Sequence, residues 1–254
     1  MAFVEVTNVR KLFGGRDTGV VALDEANLAF DEGEFVALLG PSGCGKTTLL
    51  KIVSGLLPKT SGSVRVGGKE ITGPYPDYGF VFQQASLMPW RTVRENVLFP
   101  MEILGKKDKE ATMRADELLG LTGLSHFADS RPHELSGGMQ QRVSLCRALI
   151  HKPKLLLMDE PFGALDEFTR LEMNDLLLKI RDETKASILF VTHSISEAVY
   201  LSDRVVIFSR RPARVQLEFK VGLPRVRTQS VRFTPEFTDA ERRASEALGI
   251  LGAH

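Results

Sequence analysis

The sequence predicts an α/β fold with a mostly parallel sheet flanked by helices, an antiparallel β subdomain and an inserted helical subdomain. Three observations predict it. Short strand-like segments separated by glycines occupy much of the first 83 residues. Apolar residues at helical spacing follow between residues 84 and 150, and apolar strand runs alternate with helical patterns from 151 to 208. The chain's 43% hydrophobic and 26% charged residues are typical of a globular protein and exclude a disordered one.

The individual elements follow from their patterns in chain order. The apolar run at residues 35–39 predicts a buried strand, and residues 48–53 predict a helix. Further helices are expected at 95–104, 110–121 and 138–150. Strands and helices should then alternate at 154–159, 167–184, 187–192, 194–201 and 204–208, and a short terminal helix is expected at 237–251.

Charge and composition exclude several classes of protein. The net charge of +1 argues against a nucleic-acid partner. Two cysteines do not make a disulfide framework and fit a reducing compartment. The N-terminus lacks the order of a signal peptide, and no apolar run approaches the roughly 20 residues that span a bilayer. We therefore expect a cytoplasmic protein, which would serve a membrane only through a separate membrane subunit.

A glycine-rich loop follows the buried strand at 35–39 directly. Residues 40–47 read GPSGCGKT, which has the spacing GxxxxGK[ST] between a strand and a helix. Glycines let the backbone curl so that its N–H groups face phosphate oxygens. Lys46 should reach the β- and γ-phosphates of a nucleotide, and the Thr47 hydroxyl should coordinate Mg²⁺.

A second apolar strand ends in two carboxylates. Residues 155–158 (LLLM) precede Asp159 and Glu160, the pattern of a Walker B strand. Asp159 should hold Mg²⁺, directly or through water, since magnesium binds one or two carboxylates beside phosphates and water. Glu160 is then available as the general base beside the attacking water.

The octapeptide LSGGMQQR at residues 135–142 places a serine and two glycines before a predicted helix. A helix N-terminus binds anions because its amides are unpaired and its dipole is positive there. A Ser-capped helix with glycines in the preceding turn is the alternative interpretation. Together with the two nucleotide motifs, the octapeptide resembles the signature of the ATP-binding cassette (ABC) ATPases, a branch of the P-loop NTPases. The resemblance covers about residues 1–210.

The resemblance implies roles for four further residues. Gln83 matches the glutamine that senses Mg²⁺ and water in these ATPases. Asp166 matches a residue of the loop that crosses to a partner subunit. His193 matches the switch histidine that contacts the γ-phosphate. Phe13 matches the aromatic platform for adenine, where the family more often has tyrosine. Burial of Phe13 in the core is the alternative.

The implied site combines catalytic, nucleotide-binding and metal-binding residues. The catalytic residues are Glu160, His193 and Gln83. The metal ligands are Thr47, Gln83 and Asp159. The nucleotide contacts are Phe13, Gly40, Pro41, Ser42, Gly43, Cys44, Gly45, Lys46, Thr47, Thr48, Ser136, Gly137, Gly138 and Asp166.

In the family, the signature completes the nucleotide site of a second cassette. The resemblance therefore implies a dimer with a second copy or a paralogous cassette, closed by ATP and reopened by hydrolysis. It also implies one ABC ATPase domain over residues 1–254: a nucleotide-binding core at 1–83 and 151–208, a helical subdomain at 84–150 and a C-terminal extension at 209–254.

Within the family, three segments are most similar to the ATPases of nitrate, sulfonate and taurine importers: residues 87–96, which contain Met88-Pro-Trp90, and residues 192–198 and 209–212. This implies transmembrane permease subunits, an extracytoplasmic substrate-binding protein that acts via the permease, and a peripheral location on the cytoplasmic side of the inner membrane. Trp90 would anchor the permease, or would pack within the helical subdomain.

Other ABC functions stay open. The chain could drive lipid or other solute movement, or export, with separate membrane subunits, or it could be a non-transport ABC ATPase. An ABC ATPase of DNA repair is disfavoured, because the roughly fifty residues of the helical subdomain leave no room for the long coiled coil of that class. A translation-associated ABC protein is disfavoured, because that class carries two cassettes in one chain and this sequence has one phosphate-binding loop. A GTPase is also disfavoured, because the sequence lacks the Asn-Lys-x-Asp motif that gives specificity for guanine.

The C-terminal extension is strongly basic. Between Arg204 and Arg232 the chain has eight Arg or Lys residues and one acid, Glu218. A solvated face is the expected explanation, and contact with a partner subunit or an anionic membrane surface is the alternative.

Overall fold

The computed structural model of the chain describes residues 2–14 and 19–251. It consists of two compact units. The first unit comprises Met1–Pro76 and Ala186–His254, and the second comprises Asp77–Lys185. The ends of the predicted domain, residue 1 and residues 252–254, lie outside the described residues.

The strands in chain order are β1 (Val4–Phe13), β2 (Val20–Phe30), β3 (Phe35–Leu39), β4 (Ser61–Val66), β5 (Lys69–Glu70), β6 (Tyr78–Val81), β7 (Leu155–Asp159), β8 (Ser187–Val191), β9 (Arg204–Phe208) and β10 (Val215–Lys220). The helices are α1 (Lys46–Val53), α2 (Val93–Ile103), α3 (Lys109–Leu121), α4 (Gly137–Leu149), α5 (Glu167–Thr184), α6 (Ile195–Leu201) and α7 (Pro235–Ala247). Short 3₁₀ turns occur at Ser125–Phe127, Pro132–Glu134 and Gln229–Phe233.

The first unit contains an antiparallel sheet in the order β2-β1-β4-β5. Val4 is opposite Phe30 on one neighbouring strand and Val66 on the other. Apolar side chains of these strands alternate with exposed ones, which is typical of an antiparallel sheet with one face in water. The predicted antiparallel β portion is therefore present.

The same unit contains strands in the order β10-β9-β3-β8. Strand β3 is parallel to both β8 and β9, while β10 is antiparallel to β9. Every residue of β3 and of β8 is buried. Strands covered on both faces have continuous apolar runs, which explains why the sequence identified both as strands.

The second unit pairs β6 with β7 in parallel and carries helices α2 to α5. All four of these helices begin at side-chain caps: Thr92 for α2, Asp108 for α3, Ser136 for α4 and Asp166 for α5. Gly79 in β6 has no room for a side chain, because a Cβ there would lie 2.3 Å from the Ala148 carbonyl oxygen of α4. Helix α4 therefore packs directly on the backbone of β6.

The predicted helix at 167–184 and strand at 204–208 agree with α5 and β9. The terminal helix differs, since α7 runs from Pro235 to Ala247 instead of 237–251. Thr234 accepts the N–H of Phe237 and starts the helix two residues early, with proline in its first turn. Gly249, at φ 68°, then ends it in the left-handed region. Within residues 2–14 and 19–251, no helix combines the length and apolarity needed to cross a bilayer.

The basic segment is not simply a solvated face. The cations of this segment that bind partners within the first unit include Arg204, Arg211, Arg214, Arg227 and Arg232. Arg227 is 8% exposed and donates to the carbonyl oxygens of Tyr200 (2.7 Å) and Ser202 (2.9 Å) at the end of α6. The cation satisfies carbonyls that a helix C-terminus leaves without partners.

Candidate functional site

The glycine-rich loop connects β3 to α1 in the first unit. Gly45 caps α1 with φ 130°, and a Cβ on it would lie 2.8 Å from the Ala22 carbonyl oxygen, so this position requires glycine. No side chain caps α1. Because the first turn of a helix has amides without helical partners, the loop presents donors suited to a phosphate.

Lys46 supplies the positive charge of the loop. It is 4% exposed, and its Nζ donates to the carbonyl oxygens of Gly40 (2.7 Å) and Pro41 (3.1 Å). A buried ammonium needs such partners because desolvation of a charge is costly. The residues of the motif therefore hold a cation against the backbone of the loop.

His193 follows β8, the parallel neighbour of β3. Leu38 is opposite Val191, and the Thr192 N–H donates to the Leu38 carbonyl oxygen at 3.2 Å. The structure therefore brings the start of the glycine-rich loop and His193 to the same edge of the sheet. The His193 side chain is exposed there, although the preceding Thr192 is buried.

A buried hydrogen-bond network fixes the backbone on both sides of His193, and the sequence analysis missed it. The Thr192 hydroxyl donates to Glu197 Oε2 at 2.5 Å and accepts the Ser194 N–H at 3.0 Å. Glu197 is 5% exposed. The only signal in the sequence was an acid one turn into α6 after the strand, which is also a common pattern at helix starts.

Phe13 lies at the last position of β1, opposite Val20. Its side chain is 42% exposed, so the alternative of a core position is wrong. The Lys11 ammonium is 5.0 Å from the ring centroid. The ring is accessible for stacking and has a cation on one side.

Both carboxylates of the second motif lie at the end of β7 in the second unit, and Gln83 follows the neighbouring strand β6. Val81 is opposite Met158 in this parallel pair, so Gln83 and Asp159–Glu160 leave the same edge. Glu160 has φ 45°, an uncommon conformation for a residue with a side chain. Such backbone strain, about 1–3 kcal/mol, is concentrated at functional sites.

Gln141 of α4 joins the two segments that carry these residues. It is 3% exposed, and its Nε2 donates to the carbonyl oxygens of Pro161 (2.6 Å) and Phe82 (2.9 Å). One side-chain amide thereby fixes the backbone after Glu160 and before Gln83. The sequence analysis gave Gln141 no role, although it lies within LSGGMQQR.

The signature octapeptide forms the start of α4. Ser136 caps the helix, and its Oγ accepts the Met139 N–H at 3.3 Å. A Cβ on Gly137 would meet nothing within 4 Å, whereas one on Gly138 would lie 2.5 Å from Thr169 Cγ2. The serine is a helix cap, as the alternative interpretation expected, but both glycines lie inside α4 and not in the preceding turn. Gly138 serves packing, while Gly137 faces open space. Anion binding at this helix start stays a prediction.

Asp166 caps α5 and is exposed. Its carboxylate accepts the Thr169 N–H at 3.0 Å and the Thr169 hydroxyl at 2.6 Å. The side-chain hydrogen bond from Thr169 holds the pKa of Asp166 below its usual value. Its carboxylate is thus ionised and oriented by the same Thr169 that packs on Gly138.

Comparison with known proteins decides the family of this chain. The family model described as ABC transporter matches residues 23–163, more than half of the sequence. The chain belongs to the ABC transporter family. It is an ABC ATPase, and the predicted α/β cassette fold is confirmed.

Curated relatives that are similar to this ABC ATPase over most of their length include two import ATP-binding proteins. It is 44% identical over 240 residues to the nitrate import ATP-binding protein NrtD of Synechocystis sp., covering 92% of this chain and 90% of that protein. It is 42% identical over 248 residues to the aliphatic sulfonates import ATP-binding protein SsuB of Bacillus cereus, covering 98% of each. The predicted resemblance to this branch of the family is confirmed.

The solved structures of similar fold include the dimeric post-hydrolysis state of the ATP-binding cassette MJ0796 bound to ADP and Pi. It has a TM-score of 0.75 and 35% sequence identity, and the match covers 85% of this chain and 98% of that chain.

The predicted metal ligands of the ABC ATPase have the chemistry that magnesium prefers. Thr47, Gln83 and Asp159 offer a hydroxyl, an amide and a carboxylate oxygen, all hard oxygen donors. In the part of the chain that the structure describes, no three His, Cys, Asp or Glu residues gather as a soft or zinc-like site would require. Hydroxyl, amide and carboxylate oxygens are the type of donor that Mg²⁺ takes beside phosphate oxygens, so each of the three side chains suits this ion.

Proposed function

We propose that this ABC ATPase works as a dimeric cassette that powers import of a small anion through a separate membrane permease. The open start of α4 carries the proposal, because Gly137 exposes backbone without an intramolecular reason for glycine there. The import functions printed for the nitrate and sulfonate relatives support the direction of transport. We further propose that residues 1–254 form one ABC ATPase domain with the subdomains predicted from the sequence.

In the first unit, the loop and its lysine bind the phosphates of ATP. Backbone N–H groups of Gly40, Ser42, Gly43, Cys44 and Gly45, and of Thr47 and Thr48 at the start of α1, donate to phosphate oxygens. Pro41 has no N–H and contributes the shape of the loop beside the phosphates. Lys46 exchanges its carbonyl partners for the β- and γ-phosphates. Phe13 stacks on the adenine. His193 contacts the γ-phosphate from the end of β8, with its backbone held by the Thr192–Glu197 network.

In the second unit, Glu160 accepts a proton from the attacking water, and Gln83 orients that water. Thr47 of the first unit, together with Asp159 and Gln83, would hold Mg²⁺, and the ion would neutralise phosphate charge when bound. Gln141 keeps the segments of Gln83 and Glu160 in place through its two hydrogen bonds.

Ser136, Gly137 and Gly138 bind the γ-phosphate of ATP held by a second copy or a paralogous cassette, and Asp166 contacts that partner. The negative charge of the γ-phosphate suits the positive end of α4. ATP therefore closes the dimer, and loss of the γ-phosphate after hydrolysis opens it. The dimeric arrangement of the similar cassette MJ0796 supports this proposal.

The change Glu160→Gln tests both the base and the dimer. Removing the base should slow hydrolysis by about 10²–10⁴-fold while ATP still binds. We expect the variant to elute as a dimer with Mg-ATP and as a monomer with Mg-ADP in size-exclusion chromatography. Wild-type turnover would refute the role of Glu160, and a monomer in both nucleotides would refute the ATP-closed dimer.

We propose that Trp90 anchors the permease. It is 71% exposed, so packing within the helical part of the second unit does not account for it. Exposed aromatic side chains often carry interface energy. Trp90→Ala should reduce co-purification with the co-expressed membrane subunits and leave the ATPase rate of the isolated cassette near wild type. Phe233→Ala, which removes an aromatic ring that is 89% exposed in the first unit, is the matched control.

The proposed cargo is nitrate, a sulfonate, taurine or a similar small anion, received from an extracytoplasmic binding protein through the permease. The cassette then lies peripherally on the cytoplasmic side of the inner membrane. A chromosomal Lys46→Ala strain should lose growth on nitrate as nitrogen source, or on a sulfonate as sulfur source. Normal growth on both, with a defect in lipid distribution or in solute export, would favour the alternative.

A further inference from the structure

Residues 209–214 form a tight loop after β9, at the same sheet edge as the phosphate-binding loop. The Ser209 N–H donates to the Arg214 carbonyl oxygen at 3.0 Å, and Ser209 Oγ accepts the Arg214 N–H at 3.1 Å. These two bonds close the loop on itself. We refer to residues 209–214 as the β9 loop.

The β9 loop is attached to β2. The Ala213 N–H donates to the Ala22 carbonyl oxygen at 3.1 Å, and the Asp24 N–H donates to the Ala213 carbonyl oxygen at 3.1 Å. Arg214 forms an ion pair with Asp24. The β9 loop is therefore anchored by backbone bonds on the strand that pairs with β1, which carries Phe13.

The β9 loop also contacts the phosphate-binding loop at two points. Ala213 is one of the groups that a Cβ on Gly45 would meet, at 3.3 Å. The Arg211 guanidinium donates to the Gly43 carbonyl oxygen at 2.6 Å. This second contact is a charge-assisted hydrogen bond, the stronger kind.

Gly43 is a flexible position of the phosphate-binding loop that such a bond can fix. Its φ of 71° lies in the left-handed region, which glycine enters freely but also leaves freely. The N–H and C=O of one peptide unit point in opposite directions because the unit is planar and trans. A guanidinium that holds the Gly43 carbonyl outward therefore directs the Cys44 N–H toward the inside of the loop, where it now donates to Pro41.

We propose that Arg211 is a positioning residue for nucleotide phosphates. It holds the Gly43–Cys44 peptide in the orientation that points an amide at the bound phosphates. Lys46 also stabilises the loop, but it leaves the carbonyls of Gly40 and Pro41 when phosphates arrive. Arg211 binds from the outer side and keeps its contact in both states. The inference rests on the proposed role of residues 40–47 as the phosphate site.

The test is titration calorimetry of the full chain with ATP, ADP and adenosine in the presence of Mg²⁺. Arg211→Ala should lower the affinity for ATP and for ADP by about tenfold, the size expected for loss of one charged hydrogen bond. The affinity for adenosine, which has no phosphate, should not change. When the ATPase rate is measured over a range of ATP concentrations, KM should rise with little change in kcat. Arg211→Lys, which keeps one donor, should recover part of the affinity.

Arg210→Ala is the matched control, since it removes the same charge from the same loop. The Arg210 side chain makes no hydrogen bond to the residues that the structure describes. Equal losses in Arg210→Ala and Arg211→Ala would overturn the proposal, because charge alone would then explain them. An equal loss for adenosine, or unchanged ADP affinity in Arg211→Ala, would overturn it too.

Lys46→Ala separates this inference from the proposed function. If Lys46→Ala loses nucleotide affinity and Arg211→Ala does not, the phosphate site stands and only the inference fails. If Lys46→Ala binds ATP as the wild type does, the assigned phosphate site fails and takes the inference with it.

Discussion

Replacing Gly138 by alanine should destabilise the protein through one contact. The added Cβ would lie 2.5 Å from Thr169 Cγ2, whereas carbon atoms in contact are about 3.5–4.0 Å apart. The two carbon atoms must therefore move apart by about 1 Å or more. Thr169 cannot easily rotate its methyl away, because its hydroxyl is bonded to Asp166 at 2.6 Å and its χ1 is restricted by branching.

The size of the effect follows from overpacking, which costs about 1–3 kcal/mol in well-packed sites. Alanine also favours helix over glycine by up to about 1 kcal/mol, which partly conceals this cost. Gly137→Ala is the control, because a Cβ there meets nothing within 4 Å. This variant should therefore show only the gain in helix propensity of alanine over glycine. The difference between the two variants, about 1–3 kcal/mol, isolates the contact.

Thermal unfolding followed by circular dichroism measures the difference, at about 2–4 °C per kcal/mol for a chain of this size. A second change supplies the decisive control. Thr169→Ser deletes Cγ2 but keeps a hydroxyl for Asp166, so it should return Gly138→Ala to within about 0.5 kcal/mol of Gly137→Ala. Equal melting temperatures for Gly138→Ala and Gly137→Ala would refute the reasoning. An unchanged melting temperature of Gly138→Ala when Thr169→Ser is added would refute it as well.

Three further outcomes are expected. Burial raises the pKa of the Cys146 thiol to about 12, so iodoacetamide should not modify Cys146 in the native protein at about pH 8, and should do so after unfolding in urea. The pKa of Asp166 is lowered in the fold, so its contribution to the free energy of unfolding is present above the ordinary carboxyl pKa and is lost on acidification; Asp166→Asn should flatten that pH dependence between about pH 2 and pH 6 in urea titrations. Arg227→Ala leaves buried carbonyls of α6 without a donor and should lower the free energy of unfolding by about 1–3 kcal/mol, while Arg210→Ala, which removes an exposed arginine of the same basic segment, should change it by less than about 0.5 kcal/mol.

The parts of the site that the sequence predicted are those in which local pattern determines structure. The run at 35–39, the glycines after it and the helix at Lys46 are consecutive, and their conformations depend on each other over a few residues. The strand ending at Asp159 was recognised in the same way. Parallel pairing then brings strand ends to one edge, so His193 could be placed beside the phosphate-binding loop once β8 was identified.

The residues that sequence reasoning missed act through partners far along the chain. Gln141 binds carbonyls 59 residues before it and 20 residues after it. Arg227 caps a helix that ends 26 residues earlier, so its charge in the sequence indicated solvent and not burial. Backbone carbonyls carry no residue identity, and a side chain that binds them leaves no matching pattern elsewhere in the sequence.

The two glycines of the signature show why a motif cannot be reduced to one cause. Gly137 and Gly138 are adjacent and identical in sequence, and a resemblance assigns both to the nucleotide. Only the fold separates them, because Gly138 lies against Thr169 while Gly137 has no neighbour that forbids a side chain. Packing therefore accounts for glycine at 138 without any ligand. At 137 it does not, so the case for a bound phosphate from a second cassette depends on that single residue and on the amides beside it.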